Sequence, residues 1–334
     1  TLLKDGIRYK TINRFKNRVL YKLYQYWIRL CAELKILYPL YIKDDYDIEV
    51  AYLECGPTKI IASSTNKKAV KIAWVHCDLE KKEGFTDSIE RSRKYYEKYD
   101  KIVCVSENVK QSFERLFGTD MEMIVLYNVN DENEIVQLAK AKVNIKREKE
   151  GPLLAVIGRL SKEKGVDRLI KVCSRLKKDR YSFELWILGE GEEREEIERI
   201  IEENDLSEYV ELLGFISNPY PYMRMSDILV CPSRYEGLST VVTEGLILGK
   251  AIVTTQCSGM KELLGDSEYG IVTENSEQGL YYAMKKLLDD PGTICDISKQ
   301  AKLRGKMLRK ETTVGETEKF FIQLILNRTG IGYY

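Results

Sequence analysis

The chain has 334 residues, 44% of them hydrophobic and 31% charged, with a net charge of +1. That length fits two domains of ordinary size, and the apolar share is enough for real cores, so a disordered chain is excluded. A balance so near neutrality argues against a nucleic-acid binder, and no apolar run approaches the ~18 residues of a membrane-crossing helix.

The charge is uneven. Residues 1–43 carry ten Lys/Arg and two Asp/Glu, so the remainder holds a balance of −7. A basic end beside an acidic body is expected to seek anions. Eight cysteines are scattered: Cys31, Cys55, Cys77, Cys104, Cys173, Cys231, Cys257 and Cys295. None forms a C-x-x-C pair and most lie in apolar runs. They read as buried thiols in a reducing compartment, not as a disulfide frame or a zinc site. No signal-peptide pattern is read at the N-terminus.

In chain order, Thr11 to Tyr38 is long, aromatic and basic. Leu20, Leu23, Tyr24, Trp27 and Leu30 recur at helical spacing among Arg14, Lys16, Arg18, Lys22 and Arg29. This predicts an amphipathic helix, or two broken by a turn. Short apolar runs then alternate with polar helical stretches. Strands are expected at Ile48–Glu54, Lys71–His76, Lys101–Ser106 and Met123–Asn128, with helices at Asp87–Lys98 and Glu107–Phe117. Such alternation implies βαβ units around a parallel sheet.

Residues 131–150 are polar, and Gly151-Pro152 then punctuates the chain. The expected division is a first domain over 1–148, a second over 149–310, and a closing helical segment over 311–334 that crosses back to the first. In the second domain strands are expected at Leu153–Gly158, Glu184–Gly189, Val210–Phe215, Asp227–Ser233, Ala251–Gln256 and Gly270–Asn275. Helices follow at Ser276–Leu288 and Thr313–Asn327. The pattern is that of a complete doubly wound α/β domain.

Ligands of open α/β sheets bind at the carboxyl ends of the strands, so four loops of the second half are candidates. In Gly158-Arg159-Leu160-Ser161-Lys162-Glu163-Lys164-Gly165, Arg159 offers forked donors and Lys164 a compact positive charge, both suited to phosphate. A solvated loop is the alternative. Gly189-Glu190-Gly191 lets a ligand approach the backbone, or is simply a tight turn. Phe215 and Ile216, in Gly214-Phe215-Ile216-Ser217-Asn218-Pro219-Tyr220, could hold a base edge and cover its face.

The fourth loop runs from Pro232 to Thr240 and enters a helix. Amides near Gly237, Leu238 and Ser239 at a helix N-terminus form an anion site. Glu244, about a turn and a half inside, can accept hydrogen bonds from a ribose diol. Glu236 would stand beyond the phosphates, near a sugar; a capping acid and a chance helical Glu are the alternative. His76, the only histidine, ends an apolar run where a strand would face a cleft.

The segment from Val156 to about Leu288 closely resembles the donor domain of family 4 retaining glycosyltransferases, which have the GT-B fold: two Rossmann-like doubly wound domains facing a cleft. The resemblance is carried by G-R-L-S-K-E-K-G (Gly158–Gly165), G-E-G (Gly189–Gly191), G-F-I-S-N-P-Y (Gly214–Tyr220), the E-x7-E pair of Glu236 and Glu244, and S-G-M-K-E-L-L (Ser258–Leu264). W-V-H at His76 and V-S-E-N-V-K (Val105–Lys110) are similar to the family's first domain.

The resemblance implies transfer of a sugar from a nucleotide sugar, a UDP-sugar by expectation, to a glycan or lipid-linked saccharide, by front-face attack with retention. Arg159 and Lys164 would grip the diphosphate, and the amides after Glu236 its distal phosphate. Glu244 would bind ribose, Glu236 the donor sugar, the Phe215–Ile216 loop the base, and His76 would lie by the anomeric centre or the acceptor. No cofactor or divalent metal is implied, the cations replacing it.

Family members usually open with a strand, a Gly-rich loop and a helix. No such segment is read before Glu54, so the first domain is expected to be incomplete at its N-terminus. The alternative function is a donor-binding or scaffold subunit completed by a partner polypeptide. The basic helix suggests peripheral contact with the inner face of the cell membrane from the cytoplasm, or is a buried helix with solvated lysines.

Overall fold

The computed structural model describes residues 18–34, 36–82, 89–143, 145, 147 and 150–329. Among them are ten strands: β1 (Ile48–Ala51), β2 (Val70–Val75), β3 (Lys101–Cys104), β4 (Met123–Val125), β5 (Leu153–Ile157), β6 (Glu184–Leu188), β7 (Val210–Gly214), β8 (Ile228–Cys231), β9 (Ala251–Thr255) and β10 (Ile271–Thr273). Each matches one expected apolar run, trimmed mainly at its C-terminal end, where the chain turns into a loop.

The strands make two sheets, of order β1-β2-β3-β4 and β10-β9-β8-β5-β6-β7. The pairs β1–β2 and β3–β4, and all five pairs of the six-stranded sheet, are parallel. By contacts the chain divides into one unit of Thr1–Trp74 with Arg91–Lys101 and another of Val75–Glu90 with Ile102–Tyr334. The expected domain boundary near residue 149 falls inside the second unit, between β4 and β5.

In the first unit, helices Arg18–Glu33 and Leu37–Tyr41 replace the long aromatic run, with the break at residues 34–36. Ile28, Cys31, Ala32, Leu37 and Tyr38 are buried. The Tyr38 hydroxyl donates to Glu49 Oε1, and the buried Tyr99 hydroxyl donates to Thr58 O at 2.6 Å. Arg14 and Lys16, and the side chains of Arg18 and Lys22, lie outside the described residues. Leu23, Tyr26, Trp27, Leu30 and Leu34 are exposed.

In the second unit the four inner strands β5, β6, β8 and β9 are buried on both faces, as their unbroken apolar runs require, while the edge strands β7 and β10 are partly exposed. Alternation sorts its side chains. Leu154, Val156, Leu185 and Ile187 join Leu169, Ile170 and Cys173 of helix Val166–Lys178 in the main core. Leu153, Trp186 and Leu188 pack on the opposite face with Ile216 and Tyr222. Each fully buried Leu or Ile contributes roughly 1.5–3 kcal/mol. Glu184 is buried as the acceptor of the Trp186 indole N–H, at 2.6 Å. The last helix, Lys310–Thr329, is tied at its start to Asp131 and Glu132 by the Lys310 side chain and amide.

The eight cysteines, all among the described residues, form no disulfide. Cys31, Cys104, Cys173 and Cys231 are buried, but Cys55 and Cys295 are exposed, so the expectation of buried thiols does not extend to those two.

Candidate donor site

The order β10-β9-β8-β5-β6-β7 runs outward in both directions from the β5/β8 pair, which is the topological switch point of a doubly wound sheet. The loops leaving β5 and β8 diverge there, and a recess opens between them. Its walls include Gly158, Arg159, Lys164, Ser233, Glu236 and Ser239. Five of the residues expected from sequence are therefore brought to one place.

Lys164 closes a three-residue 3₁₀ turn, Lys162–Lys164, after β5. Its Nζ donates to Glu236 Oε1 at 2.7 Å, and the Ser233 hydroxyl donates to the same oxygen at 2.6 Å. The Glu236 side chain is 11% exposed and that of Lys164 31%. Burial alone would lower the Lys164 ammonium, but the Glu236 carboxylate outweighs it and holds the group above the ordinary lysine value. Arg159 is exposed at the rim. The cation expected on phosphate and the acid expected on sugar thus pair with each other.

Ser239 caps helix Thr240–Ile247, accepting from Val242 N. Glu244 lies on this helix and accepts from the Tyr220 hydroxyl at 2.9 Å. Burial raises the Glu244 carboxyl above the usual carboxylate range, partly offset by Tyr220. The ionised form is therefore the costly one in the folded chain. Relative to a residue that does not titrate, stability is lost as pH rises through the folded pKa. Glu244→Gln is expected to raise Tm by about 2 °C at pH 8, with the gain vanishing as pH falls below the carboxylate range. Thermal unfolding against pH checks this.

Other expected residues lie elsewhere. Glu190 pairs with Arg194, and Arg194 with Glu198 at 2.8 Å, along helix Arg194–Glu203. Phe215 is 76% exposed, and Ile216 packs with Trp186 and Leu188. Neither lines the recess. Gly189 has a φ of +152°, and a Cβ there would meet Gly158 O at 1.8 Å. The close approach its small size permits is to the neighbouring loop's backbone.

His76 follows β2. Next to it Cys77 forms an antiparallel bridge with Gly237, Asp78 N donates to Glu236 O at 3.4 Å, and a Cβ on Gly237 would meet His76 O at 2.0 Å. The His76 backbone therefore packs against the Glu236–Gly237 turn. The Ser106 hydroxyl donates to Gly237 O at 3.2 Å. Leu238 is buried beside them. Glu262, within the S-G-M-K-E-L-L loop, accepts from the amides of Glu107 and Asn108 at 2.9 and 3.1 Å, closing the N-terminus of helix Glu107–Phe117.

Sequence reading did not single out Ser233, Tyr220, Asp78 or Arg168. The first two lie within quoted motifs. Asp78 is buried, accepting from Ser112 and Ser258 hydroxyls at 2.6 and 2.7 Å. Nothing in its spacing signals this.

Residues 139–304, about half of the chain, match the family described as glycosyl transferases group 1. A Campylobacter jejuni N-acetylgalactosamine-N,N'-diacetylbacillosaminyl-diphospho-undecaprenol 4-alpha-N-acetylgalactosaminyltransferase is 34% identical over 200 residues, 59% of this chain and 53% of that protein. The lipopolysaccharide core biosynthesis glycosyltransferase LpsE of Rhizobium meliloti is 26% identical over 59% of this chain and 56% of its own length. The chain thus spans about half the length of these relatives. Among solved structures, sucrose-phosphate synthase from Thermosynechococcus elongatus superposes with a TM-score of 0.78 at 16% identity, covering 94% of this chain and 81% of that one. Anabaena HepE in complex with UDP gives 0.69 at 16% identity, covering 93% and 85%. These likenesses show the α/β GT-B fold. Family match and fold agree on the segment that builds the switch-point recess, and this chain belongs to the group 1, or family 4, glycosyltransferases.

Proposed function

We propose that the chain transfers a sugar with retention from a nucleotide sugar, taken to be a UDP-sugar, to a glycan or lipid-linked saccharide. The observation that carries this reading is the recess at the β5/β8 switch point, where Arg159 and Lys164 meet Glu236 and Ser239. The two cations would receive the diphosphate and stabilise the charge developing on it as it leaves, in the place a divalent metal takes elsewhere. The N-terminus of helix Thr240–Ile247 would add its dipole to the distal phosphate. Glu244, held by Tyr220, would accept from ribose hydroxyls, and Glu236 from hydroxyls of the transferred sugar. The base would lie toward the Phe215–Ile216 loop, and His76 beside the reacting centre.

The relatives named above act on a diphospho-undecaprenol-linked saccharide and in lipopolysaccharide core biosynthesis, which supports a lipid-linked acceptor. A calorimetric screen of UDP, GDP and their sugars tests the donor reading. Saturable UDP binding is expected, lost in Glu244→Ala; a chain that binds no nucleotide would refute it.

No helix among the described residues is long and apolar enough to cross a membrane. Peripheral attachment through helix Arg18–Glu33 is part of the proposal, supported by its exposed Leu23, Tyr26, Trp27 and Leu30 and by the basic residues that precede it. Flotation with phosphatidylglycerol-rich vesicles is expected at low salt and should weaken at high salt. Absence of binding at low salt would remove the membrane from the proposal.

A further inference from the structure

Arg168 is 5% exposed on helix Val166–Lys178. A buried guanidinium ordinarily pairs with a carboxylate, yet among the described residues no ion pair includes Arg168. Its partners are neutral oxygens. Nε donates to Pro232 O at 2.8 Å, and Nη2 to Ser233 O at 2.6 Å and Thr255 Oγ1 at 3.3 Å. Nη1 donates to Asn275 Oδ1 at 2.7 Å. Burial lowers the guanidinium below its ordinary value, but an arginine so far above neutrality stays charged.

The fork therefore spans two consecutive carbonyls of the loop leaving β8. Ser233 O is also the acceptor for Thr255 Oγ1 and, at 3.1 Å, for Cys257 Sγ. Asn275 in turn donates from Nδ2 to Arg234 O at 2.9 Å and Gln256 O at 3.2 Å. Behind the recess, one buried cation and one amide thus fix the backbone at residues 232, 233 and 234. Ser233 continues the connection forward, since its hydroxyl donates to the Glu236 carboxylate.

A cation buried without an ion pair is expensive for stability alone, and an apolar side chain of similar length would fill the same volume. We infer that Arg168 is a positioning residue for Glu236. By clamping Pro232 O and Ser233 O it sets the Ser233 hydroxyl, and through it the carboxylate that would meet the donor sugar. This rests on the donor reading above. It goes beyond that reading by assigning sugar recognition to a residue behind the pocket that touches no ligand.

The test compares UDP with UDP-glucose, UDP-N-acetylglucosamine and UDP-N-acetylgalactosamine by calorimetry, using the sugar that wild type binds best. UDP lacks the sugar that Glu236 would hold, so it reports the phosphate and ribose contacts alone. Arg168→Met is expected to weaken nucleotide-sugar binding about tenfold while UDP affinity and binding stoichiometry stay within about twofold of wild type. Arg168→Lys keeps the charge but cannot span both carbonyls. It is expected to weaken sugar binding about fivefold, and it serves if the Met variant does not fold. Equal weakening of UDP and nucleotide sugar, or an unchanged sugar affinity in either folded variant, would overturn the positioning role. Wild type that binds no UDP would instead refute the donor reading.

Discussion

Arg159→Ala combined with Lys164→Ala is expected to lower sugar transfer by about three orders of magnitude, measured as UDP release under saturating donor. Removing one group aimed at developing charge costs on the order of 10²–10³ in rate, and here both cations at the switch-point recess are lost. The single variants should separate by stability. Arg159 is exposed, and its loss should leave Tm unchanged. Lys164 is the counter-charge of a carboxylate only 11% exposed, so Lys164→Ala leaves Glu236 with the Ser233 hydroxyl as its side-chain donor among the described residues. Discounted for the partial exposure of the pair, that costs about 1–2 kcal/mol, or a few degrees in Tm. A double variant with near-normal turnover would remove both residues from leaving-group stabilisation.

The ten strands were legible because parallel strands buried on both faces leave short unbroken apolar runs, such as Leu153–Ile157 and Ala251–Thr255. The recess was legible because strand–loop–helix junctions carry glycine and charge at fixed places, which led to Arg159, Lys164 and Glu236 together. What spacing could not convey is how side chains pair once loops fold back. Glu190 sits in a motif that reads as ligand-facing, yet from the loop after β6 it pairs with Arg194, the first residue of helix Arg194–Glu203. Phe215 reads as a cover for a base, and its side chain stands exposed to solvent. Arg168 left no trace. Its helix is buried over a wide face that includes Val166, Leu169, Ile170 and Val172, and a charged residue at 168 reads as surface until Pro232 O and Ser233 O are seen opposite it.

The ion pair between Lys164 and Glu236 has a consequence opposite in sign to a simple loss of function. Lys164 Nζ is held at 2.7 Å by the carboxylate, so a diphosphate must share or displace that contact. Glu236→Gln keeps the shape and still accepts from Ser233 and Lys164, but without the charge. The ammonium then turns to phosphate at lower cost. UDP affinity is expected to rise about two- to fivefold. Turnover of the nucleotide sugar is expected to fall on the order of 10²-fold, because the carboxylate facing the sugar is lost where charge-assisted hydrogen bonds are about twice as strong as neutral ones. Tm should stay within about 2 °C. Calorimetry with UDP and initial rates with nucleotide sugar read the two effects separately. Weaker UDP binding in Glu236→Gln would show that the carboxylate organises Lys164 for phosphate instead of competing for it.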